Sequence, residues 1–277
     1  VTFTATDNCG NSSSTTATFT IIDNTNPTIT TQASNLEVQC DGNGNTADLN
    51  TWLASNGGAA ATDVCSNVTW TNNFTSVSDT CGATGSASVT FTATDNCGNS
   101  SSTTATFTII DNTNPVISVQ ASNLEVQCDG NGNTAALNAW LASNGGASAS
   151  DVCSSVTWSN NFTSVSDTCG ATGSASVTFT ATDNCGNSSS TTATFTIIDN
   201  TNPVISVQAS NLEVQCDGNG NTAALNAWLE SNGGGAATDV CSSVTWTNNF
   251  TSVSDTCGAT GSASVTFTAT DNCGNSS

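Results

Sequence analysis

The sequence contains no lysine, arginine or histidine, while 21 aspartate and glutamate residues give it a formal net charge of −21. A nucleic-acid-binding protein needs a basic surface to neutralise phosphates, so this function class is excluded. Electrostatic attachment to anionic lipids is excluded for the same reason. Since no side chain can act as a counter-ion, the carboxylates must be neutralised by cations from solvent. This favours either Ca²⁺ binding or an acidic surface that keeps a polymer soluble.

The side chains that usually carry catalysis are missing as well. Histidine, lysine, arginine and tyrosine are all absent, which leaves little besides carboxylates for acid–base chemistry. Because the same carboxylates recur in every repeat, they are expected to be structural, and the chain is predicted not to be an enzyme. No run of about 20 apolar residues is present, so no segment is expected to insert into a membrane.

What the sequence does contain is an internal repeat. The segment V-T-F-T-A-T-D-N-C-G-N begins at Val1 and again at Val89, and recurs twice more at the same spacing, so the period is 88 residues (89 − 1 = 88). Because the chain begins and ends inside the same strand–turn unit, it is expected to be a segment of a longer array. The predicted domains are the C-terminal part of a repeat (1–26), two full repeats (27–114 and 115–202) and a repeat that is incomplete at its C-terminal strand (203–277).

The 13 cysteines follow the same period, with four in each full repeat. Evenly repeated cysteines in small, loop-rich units are typical of disulfides in an oxidising, extracellular compartment. A zinc site is disfavoured because histidine and C-x-x-C pairs are absent. The residues predicted to form disulfides are Cys40, Cys65, Cys81, Cys97, Cys128, Cys153, Cys169, Cys185, Cys216, Cys241, Cys257 and Cys273.

Four cysteines in a repeat allow three pairings, which sequence alone does not decide. If the strand around Val68 runs antiparallel to the strand around Val89, the start of the first lies beside the end of the second. This geometry favours a Cys65–Cys97 bridge and leaves Cys40 for Cys81, with the equivalent pairs in the other repeats.

Alternating apolar and polar residues predict short strands. The longest covers residues 86–95, with Val89 and Phe91 facing inward, and a polar turn then returns the chain with Phe107 and Ile109 on the same face. About six such strands with regularly spaced turns are typical of a small sandwich. The predicted fold class is all-β, with tandem immunoglobulin-like β-sandwich repeats, each carrying a short helix insertion and two disulfides.

The one helical segment in each repeat follows the loop D-G-N-G-N. Leu49, Trp52 and Leu53 fall at positions i, i+3 and i+4, which places them on one helix face. Asn45 or Thr46 is the expected N-cap, and Gly57 is expected to end the segment.

Two loops offer oxygen ligands for Ca²⁺. The loop D-G-N-G-N places oxygens at positions 1, 3 and 5 as in the first half of an EF-hand loop, although Thr46 and Trp52 then depart from that pattern. The alternative is a turn that caps the helix. The predicted ligands here are Asp41, Asn43 and Asn45, with Asp129, Asn131, Asn133, Asp217, Asn219 and Asn221 in the later repeats.

The second loop is D-N-T-N-P, which lies at the joint between repeats. Its oxygens are expected to bind Ca²⁺ together with Glu125, Asp95 or an acid from the neighbouring repeat, and a bound ion would stiffen the joint. The alternative is that proline alone stiffens the linker. The predicted ligands are Asp111, Asn112, Asn114, Asp199, Asn200 and Asn202.

The series V-Q-C-D, D-V-C-S and T-D-N-C-G-N, followed by I-I-D-N-T-N-P, resembles HYR-type, immunoglobulin-like repeats. It is similar in particular to the tandem repeats of large cell-surface adhesins of Bacteroidetes, such as the SprB-like gliding-motility adhesins exported by the type IX secretion system. The resemblance implies display at the cell surface and a role in adhesion.

These observations predict a structural stalk or filament that holds an adhesive function away from the cell, with neighbouring repeats of the same chain as its main partners. Two alternatives stay open. One is a module that binds surface glycans or another cell-surface protein through exposed aromatics, with Trp52 and Trp70 as candidates. The other is a fibre or sheath protein whose arrays pack side by side, for which divalent cations would have to bridge the acidic chains.

Overall fold

The computed structural model describes residues 1–277, which form short β-strands and three α-helices of nine residues each. By contacts the chain divides into two compact units, one comprising 1–113 with 152–155 and the other comprising 114–151 with 156–277. The elements of residues 1–113 are β1 (Thr2–Thr6), β2 (Ser12–Thr16), β3 (Thr28–Thr31), β4 (Leu36–Gln39), α1 (Thr46–Ala54), β5 (Ala60–Thr62), β6 (Thr69–Asn72), β7 (Gly85–Thr94) and β8 (Ser100–Ile110).

The second unit repeats this order. Its elements are β9 (Val116–Val119), β10 (Leu124–Gln127), α2 (Thr134–Ala142), β11 (Ser148–Ser150), β12 (Val156–Asn160), β13 (Gly173–Asp183), β14 (Ser188–Ile198), β15 (Val204–Val207), α3 (Thr222–Glu230), β16 (Ala236–Thr238), β17 (Val244–Asn248) and β18 (Phe267–Asp271). A short 3-10 turn follows each helix, at Asn56–Gly58, Asn144–Gly146 and Asn232–Gly234.

Each full repeat is a sandwich of a four-stranded and a two-stranded sheet. In the first repeat the larger sheet has the order β4-β8-β7-β6, and β3 pairs with β5 in the smaller one. The long hairpin β7–β8 is antiparallel, whereas β4 runs parallel to β8. The second repeat has the same arrangement, with β10-β14-β13-β12 and β9–β11. The predicted all-β class with tandem sandwich repeats is confirmed, whereas the division into single repeats stays a prediction.

The core lies along the inner face of the long hairpin. Val89, Phe91 and Ala93 are fully buried, as is Phe107 of β8, which lies opposite Ala87 of β7. Successive residues of a strand point to opposite faces, so the alternation of apolar residues with threonine directs one row inward and leaves the threonines outside. The predicted inward row of these strands is therefore confirmed.

The helix covers one end of this core. It begins after Asn45, which adopts a left-handed conformation with φ 48°, and it buries Leu49 and Trp52. The Trp52 indole contacts the Phe91 ring edge-on at 5.2 Å, and its Nε1 donates to the Ser34 carbonyl oxygen at 2.9 Å. The helix predicted from the i, i+3, i+4 pattern is confirmed. None of the three helices has the length and hydropathy of a membrane span.

Candidate functional site

The disulfides connect one repeat to the next. Cys40 is bonded to Cys153 and Cys128 to Cys241, each across 113 residues of sequence, and Cys169 is bonded to Cys273 across 104 residues. Both separations exceed the 88-residue period, so each bridge leaves its own repeat. Cys81 and Cys185 are disulfide-bonded as well.

The predicted pairing within a repeat is therefore wrong. Its premise holds, because β6 pairs antiparallel with β7 and Thr69 lies opposite Thr94, which brings the segments of Cys65 and Cys97 to one end of the sheet. However, Cys40 bonds to Cys153 rather than Cys81. Identical repeats give every cysteine a copy 88 positions away, so a local strand pairing does not reveal which copy is the partner.

Four cysteines that were predicted to form disulfides are free thiols. Cys65, Cys97, Cys216 and Cys257 are unbonded and exposed, as is Cys9. By contrast, the bonded residues Cys40 and Cys153 have exposed fractions of only 7% and 5%. A free cysteine and a bonded one can have the same local sequence, as Cys65 and Cys153 do. Whether the disulfide forms therefore depends on which segment lies next to the cysteine in the fold.

Glycines make room for the partner segment. Gly42 and Gly82 have positive φ angles of 76° and 60°, and a Cβ on either would collide with the backbone of Val152 or Cys153. The two segments are held together by a hydrogen bond from the Ala83 N–H to the Cys153 carbonyl oxygen at 2.8 Å.

The second unit contains the same contact, formed by the residues at the equivalent positions 88 residues later. The Ala171 N–H donates to the Cys241 carbonyl oxygen at 2.8 Å. Gly130 and Gly170 pack against the backbone of Val240 and Cys241. The contact between consecutive repeats therefore recurs with the same geometry in both units.

An acidic cluster lies at the first joint. One carboxylate oxygen from each of Asp23, Asp63 and Asp95 lies within 4.8 Å of the other two. Asp23 comes from the D-N-T-N-P linker, Asp63 from the D-V-C-S loop, and Asp95 from the end of β7. The side chain of Asn99 ties the linker to the turn, because its Nδ2 donates to the Asp23 carbonyl oxygen at 3.2 Å and to Asp95 Oδ2 at 2.8 Å.

Backbone N–H groups orient two of these carboxylates. Asp63 Oδ1 accepts from the N–H of Cys65 at 2.8 Å and of Ser66 at 3.0 Å. Asp95 Oδ1 accepts from the N–H of Cys97 at 2.8 Å and of Asn99 at 2.9 Å. The carboxylates are thus held in place by their own loops and do not depend on one another.

Asp23 leaves one oxygen without a partner. Its Oδ1 accepts from the Thr25 N–H at 3.1 Å and from Thr25 Oγ1 at 2.6 Å, while its Oδ2 is buried and unpaired. Asp199, which lies two periods further along the chain (199 − 23 = 176), also has a buried, unpaired Oδ2. A buried carboxylate oxygen without a hydrogen bond is costly, and the chain has no basic side chain to compensate it. A hard cation is the partner that this geometry favours.

The titration of the cluster follows from these contacts. Burial raises the pKa of Asp95, but the hydrogen bonds from Asn99 and from the Cys97 N–H outweigh it, and the net pKa lies below the usual value. The pKa of the neighbouring Cys97 thiol is raised by desolvation and then by the negative charges of Asp23 and Asp95. The Asp95 carboxylate is therefore ionised at neutral pH, and the Cys97 thiol is kept protonated.

The second unit contains a related cluster of Asp199, Asp239 and Cys241. The Cys241 sulfur is part of a disulfide, so the two carboxylates are the available ligands. Asp271 takes the place of Asp95, because the Asn275 Nδ2 joins Asp271 Oδ2 at 2.7 Å to the Asp199 carbonyl oxygen at 3.2 Å. Burial raises the pKa of Asp271, but the hydrogen bonds from Asn275 and from the backbone of Gly274 and Cys273 together hold it below the usual value.

Only some of the residues predicted to bind Ca²⁺ at this joint are members of the acidic cluster. The aspartate of the linker is a member of the cluster, together with Asp95, one of the expected contributors. The contribution of Asp63 was missed, although D-V-C-S recurs with the period and carries an acid two residues before a cysteine. The linker asparagines Asn112, Asn114, Asn200 and Asn202 are exposed, and their role as ligands stays a prediction.

The other predicted calcium loop, D-G-N-G-N, uses its oxygens internally. Asp41 Oδ1 accepts from the N–H of Asn43 at 2.7 Å and of Asn45 at 3.0 Å, and Asn45 Oδ1 accepts from the Asp41 N–H at 3.2 Å. The backbone hydrogen bonds from Asn45 and Asn43 hold the pKa of Asp41 below its usual value. These contacts support the structural alternative of a turn that leads into the helix, and calcium binding in this loop stays a prediction.

No protein-family model and no curated protein matches the sequence. The solved structures that match at low similarity include several cadherin-type fragments. They include PcdhgB3 EC1-4 (11% identity, TM-score 0.29, 100% of this chain and 80% of that chain), human CDH23 EC21-23 (15%, 0.26, 69% of each) and Drosophila N-cadherin EC1-4 (11%, 0.26, 63% and 50%). At these scores the likeness carries no argument about function.

Proposed function

We propose that this chain is part of an extracellular structural stalk whose consecutive repeats are clamped together by disulfides. The observation that carries the proposal is that Cys40–Cys153 and Cys128–Cys241 both leave their own repeat. A bridge of this kind adds little to a solitary domain, but it limits how far neighbouring domains can separate when either one unfolds. Such a device suits a polymer that bears load outside the cell, where disulfides persist.

The experiment is to stretch single molecules from their two ends. A fully unfolded chain reaches about 3.3–3.6 Å per residue, but overlapping bridges shorten the path that force can extend. The oxidised chain is expected to release less than half of the contour length that the reduced chain releases. Equal lengths under the two conditions would mean that the bridges do not clamp the repeats, and the proposal would fail.

We further propose that the joints bind Ca²⁺ through Asp23, Asp63 and Asp95 and through their counterparts Asp199, Asp239 and Asp271. The buried, unpaired Oδ2 atoms of Asp23 and Asp199 support this, as does the lack of any basic side chain. Ca²⁺ takes six to eight oxygen ligands, so carbonyl oxygens and water would complete the shell. A bound ion would hold the linker against the sandwich and stiffen the joint.

Calcium binding is tested by titration calorimetry and by thermal unfolding with and without Ca²⁺. The double variant Asp23→Asn/Asp63→Asn keeps the shape of both side chains but removes two charges, and it is expected to bind fewer ions than the parent chain. At a concentration of 100 times the Kd, a bound ion stabilises the folded state by about 2.7 kcal/mol, so the Ca²⁺-dependent rise in Tm should shrink. Asp79→Asn, at an exposed carboxylate outside the cluster, is the matched control. Equal binding by all three proteins would refute this site.

The two alternative functions receive different support. A glycan-binding platform on Trp52 is disfavoured, because this side chain has an exposed fraction of only 5% and Trp70 is half-buried against the same core. Side-by-side packing into a sheath has no specific contact in its favour. Membership of the HYR-type repeats and of the gliding-motility adhesins rests on the sequence motifs, and it stays a prediction together with display at the cell surface.

A further inference from the structure

Consecutive disulfide loops overlap along the chain. Each loop begins before the previous one has ended, and the bounds of the three loops are residues 40–153, 128–241 and 169–273. Every peptide bond between Cys40 and Cys273 therefore lies inside at least one closed loop. Consecutive repeats are thus joined by two covalent routes, one along the backbone and one through the bridges.

The joint between the second and third repeats lies inside two of these loops. Its D-N-T-N-P linker, residues 199–203, is spanned by both the Cys128–Cys241 and the Cys169–Cys273 bridge. Pairing within single repeats, as the sequence favoured, would have left this linker outside every loop. The choice of cysteine partner therefore decides whether the joint has a second covalent connection.

The two routes across this joint differ in accessibility. Asn200, Thr201 and Asn202 of the linker are exposed, and exposed polar loops are preferred sites of proteolytic cleavage. Cys128 and Cys241, by contrast, have exposed fractions of only 7% and 6%, and we refer to their disulfide as the buried bridge. The backbone route is therefore the vulnerable one.

The surroundings of the buried bridge also oppose its reduction. Asp199 and Asp239 each place a carboxylate oxygen within 4.8 Å of the Cys241 sulfur. A disulfide is reduced by attack of a thiolate on one of its sulfurs. The two negative charges repel an anionic thiolate, and they also disfavour a thiolate formed on Cys241. Burial and charge thus both protect this connection.

We propose that the overlapping bridges keep the chain continuous after its exposed linkers have been cut. The inference rests on the bridges of the proposed stalk, but it concerns resistance to proteolysis rather than extension under load. Hydrolysis of one peptide bond in the linker breaks the backbone route only, and the two bridges that span the linker keep the repeats attached.

Separation of the repeats then requires two chemically different events. The peptide bond must be hydrolysed, and both bridges must be reduced. Each reduction takes two electrons and two protons from a pair of external thiols, which become a disulfide, and it leaves two cysteine thiols on the chain. A protease without a thiol reductant therefore nicks the chain but does not divide it.

The composition allows the cut to be placed at a single bond. Because the chain has no lysine or arginine, Asn200→Lys creates the one site for trypsin, at an exposed position of the linker. After digestion and alkylation of free thiols, the protein denatured without reductant is expected to remain one species. After reduction it should give the fragments 1–200 and 201–277.

Two controls accompany this digestion. The parent chain should not be cut by the same dose of trypsin. Digestion of Asn200→Lys in urea, with the bridges intact, cuts the linker even where the folded state slows the protease, and it should again give one species before reduction.

Variants without one or both bridges identify the connection. Cys169→Ser/Cys273→Ser and Cys128→Ser/Cys241→Ser each remove one bridge in the Asn200→Lys background, and either variant should stay joined after the cut. Removing both pairs should release the fragments without reductant. The readout is made under denaturing conditions, so it reports covalent connection whether or not the fourfold variant folds.

A graded reduction tests the protection of the buried bridge. Cys169 and Cys273 are half-buried, so their bridge is expected to open first, and release of the fragments should follow the buried bridge. With glutathione as the anionic thiol, Asp239→Asn should speed this release by roughly fivefold, and with the cationic thiol cysteamine by less. Asp255→Asn, at an exposed carboxylate outside the cluster, is the matched control and should have no effect.

Fragments that separate from cut Asn200→Lys without reductant would overturn the proposal. An oxidised parent chain whose mass lacks the loss of two hydrogens for each of four bridges (8 bonded cysteines, 8/2 = 4) would overturn both this proposal and the stalk. Other results distinguish the two. A cut chain that stays joined while the uncut chain extends fully under force refutes the stalk alone. Limited extension of the uncut chain together with separation after the cut refutes only the continuity proposed here.

Discussion

The second and third repeats share most of their sequence but differ in structure. The segment L-E-V-Q forms the strand Leu124–Gln127 in the second repeat, pairing parallel with β14, whereas the same four residues at 212–215 belong to no strand. Likewise, Val177 is fully buried in β13, while its copy Val265 is half-buried and lies outside β18. The local sequence is the same in both cases, and only the neighbouring strand differs.

This comparison shows that strand formation here depends on a partner more than on intrinsic preference. A strand satisfies its backbone groups only through a neighbour, so β-propensity is strongly context-dependent. The helices behave differently. All three contain nine residues and begin after an asparagine with a left-handed backbone, because a helix forms its hydrogen bonds within its own segment.

The largest expected effect comes from removing a bridge that has its partner. Cys40→Ser/Cys153→Ser opens a closed loop of 113 residues, and the chain-entropy estimate for a loop of this size is about 5 kcal/mol in the free energy of unfolding. Guanidinium denaturation of the oxidised chain measures it. Cys216→Ser, at the copy of Cys40 in the third repeat, is the control and should leave the stability within about 0.5 kcal/mol. Equal effects of the two changes would mean that the bridge does not form.

A smaller effect is expected in the core. Phe107→Ala removes a fully buried ring and should cost about 3–5 kcal/mol. Phe19→Ala is the same change at the copy with an exposed fraction of 84%, and it should cost less than about 0.5 kcal/mol when the chain is monomeric. Urea denaturation at low protein concentration gives both values. A large cost at Phe19 would show that the segment is already packed against its own chain.

The smallest expected effect is on the pH dependence of the Tm in acid. The pKa of Asp95 lies below its usual value in the folded state, so this carboxylate stabilises the fold above its unfolded pKa of about 4, and the contribution is lost as the pH falls through the folded value. Asp95→Asn is expected to lower the Tm at neutral pH and to weaken the fall of Tm below about pH 4.

Thermal unfolding over a pH series in EDTA measures this dependence. Asp7→Asn is the matched control, because Asp7 has the same hydrogen bonds from Asn11 in a hairpin without a core and its pKa is lowered as well. It should leave the global transition unchanged. An identical pH profile for the parent chain and Asp95→Asn would remove Asp95 from the set of stabilising carboxylates.

Much of each repeat was predictable from local patterns. Alternation along 86–95 identified the buried row of Val89, Phe91 and Ala93, and the spacing of Leu49, Trp52 and Leu53 identified the helix. The antiparallel pairing of β6 with β7, which was the condition for the predicted cysteine pairs, is also present in the structure. These features were predictable because each depends on residues that are close in the chain or belong to one hairpin.

The candidate site was predicted less completely. The linker aspartate and Asp95 were recognised, but Asp63 was not, because nothing in the local pattern D-V-C-S indicates that this loop packs at the joint. The cysteine partners were wrong for a related reason: a repeat sequence contains several chemically identical candidates, and choosing among them requires knowing which copies are adjacent in space.

The sequence by itself determined the 88-residue period, the acidic composition without counter-ions, and the short helix of each repeat. Only the tertiary structure decided that the bridges join consecutive repeats, that three aspartates meet at a joint, and that identical segments become strands in one repeat and remain irregular in another. The physical reason is that composition, spacing and helical hydrogen bonds are local properties, whereas disulfides, ion sites and sheets each need a partner that the fold must bring within reach.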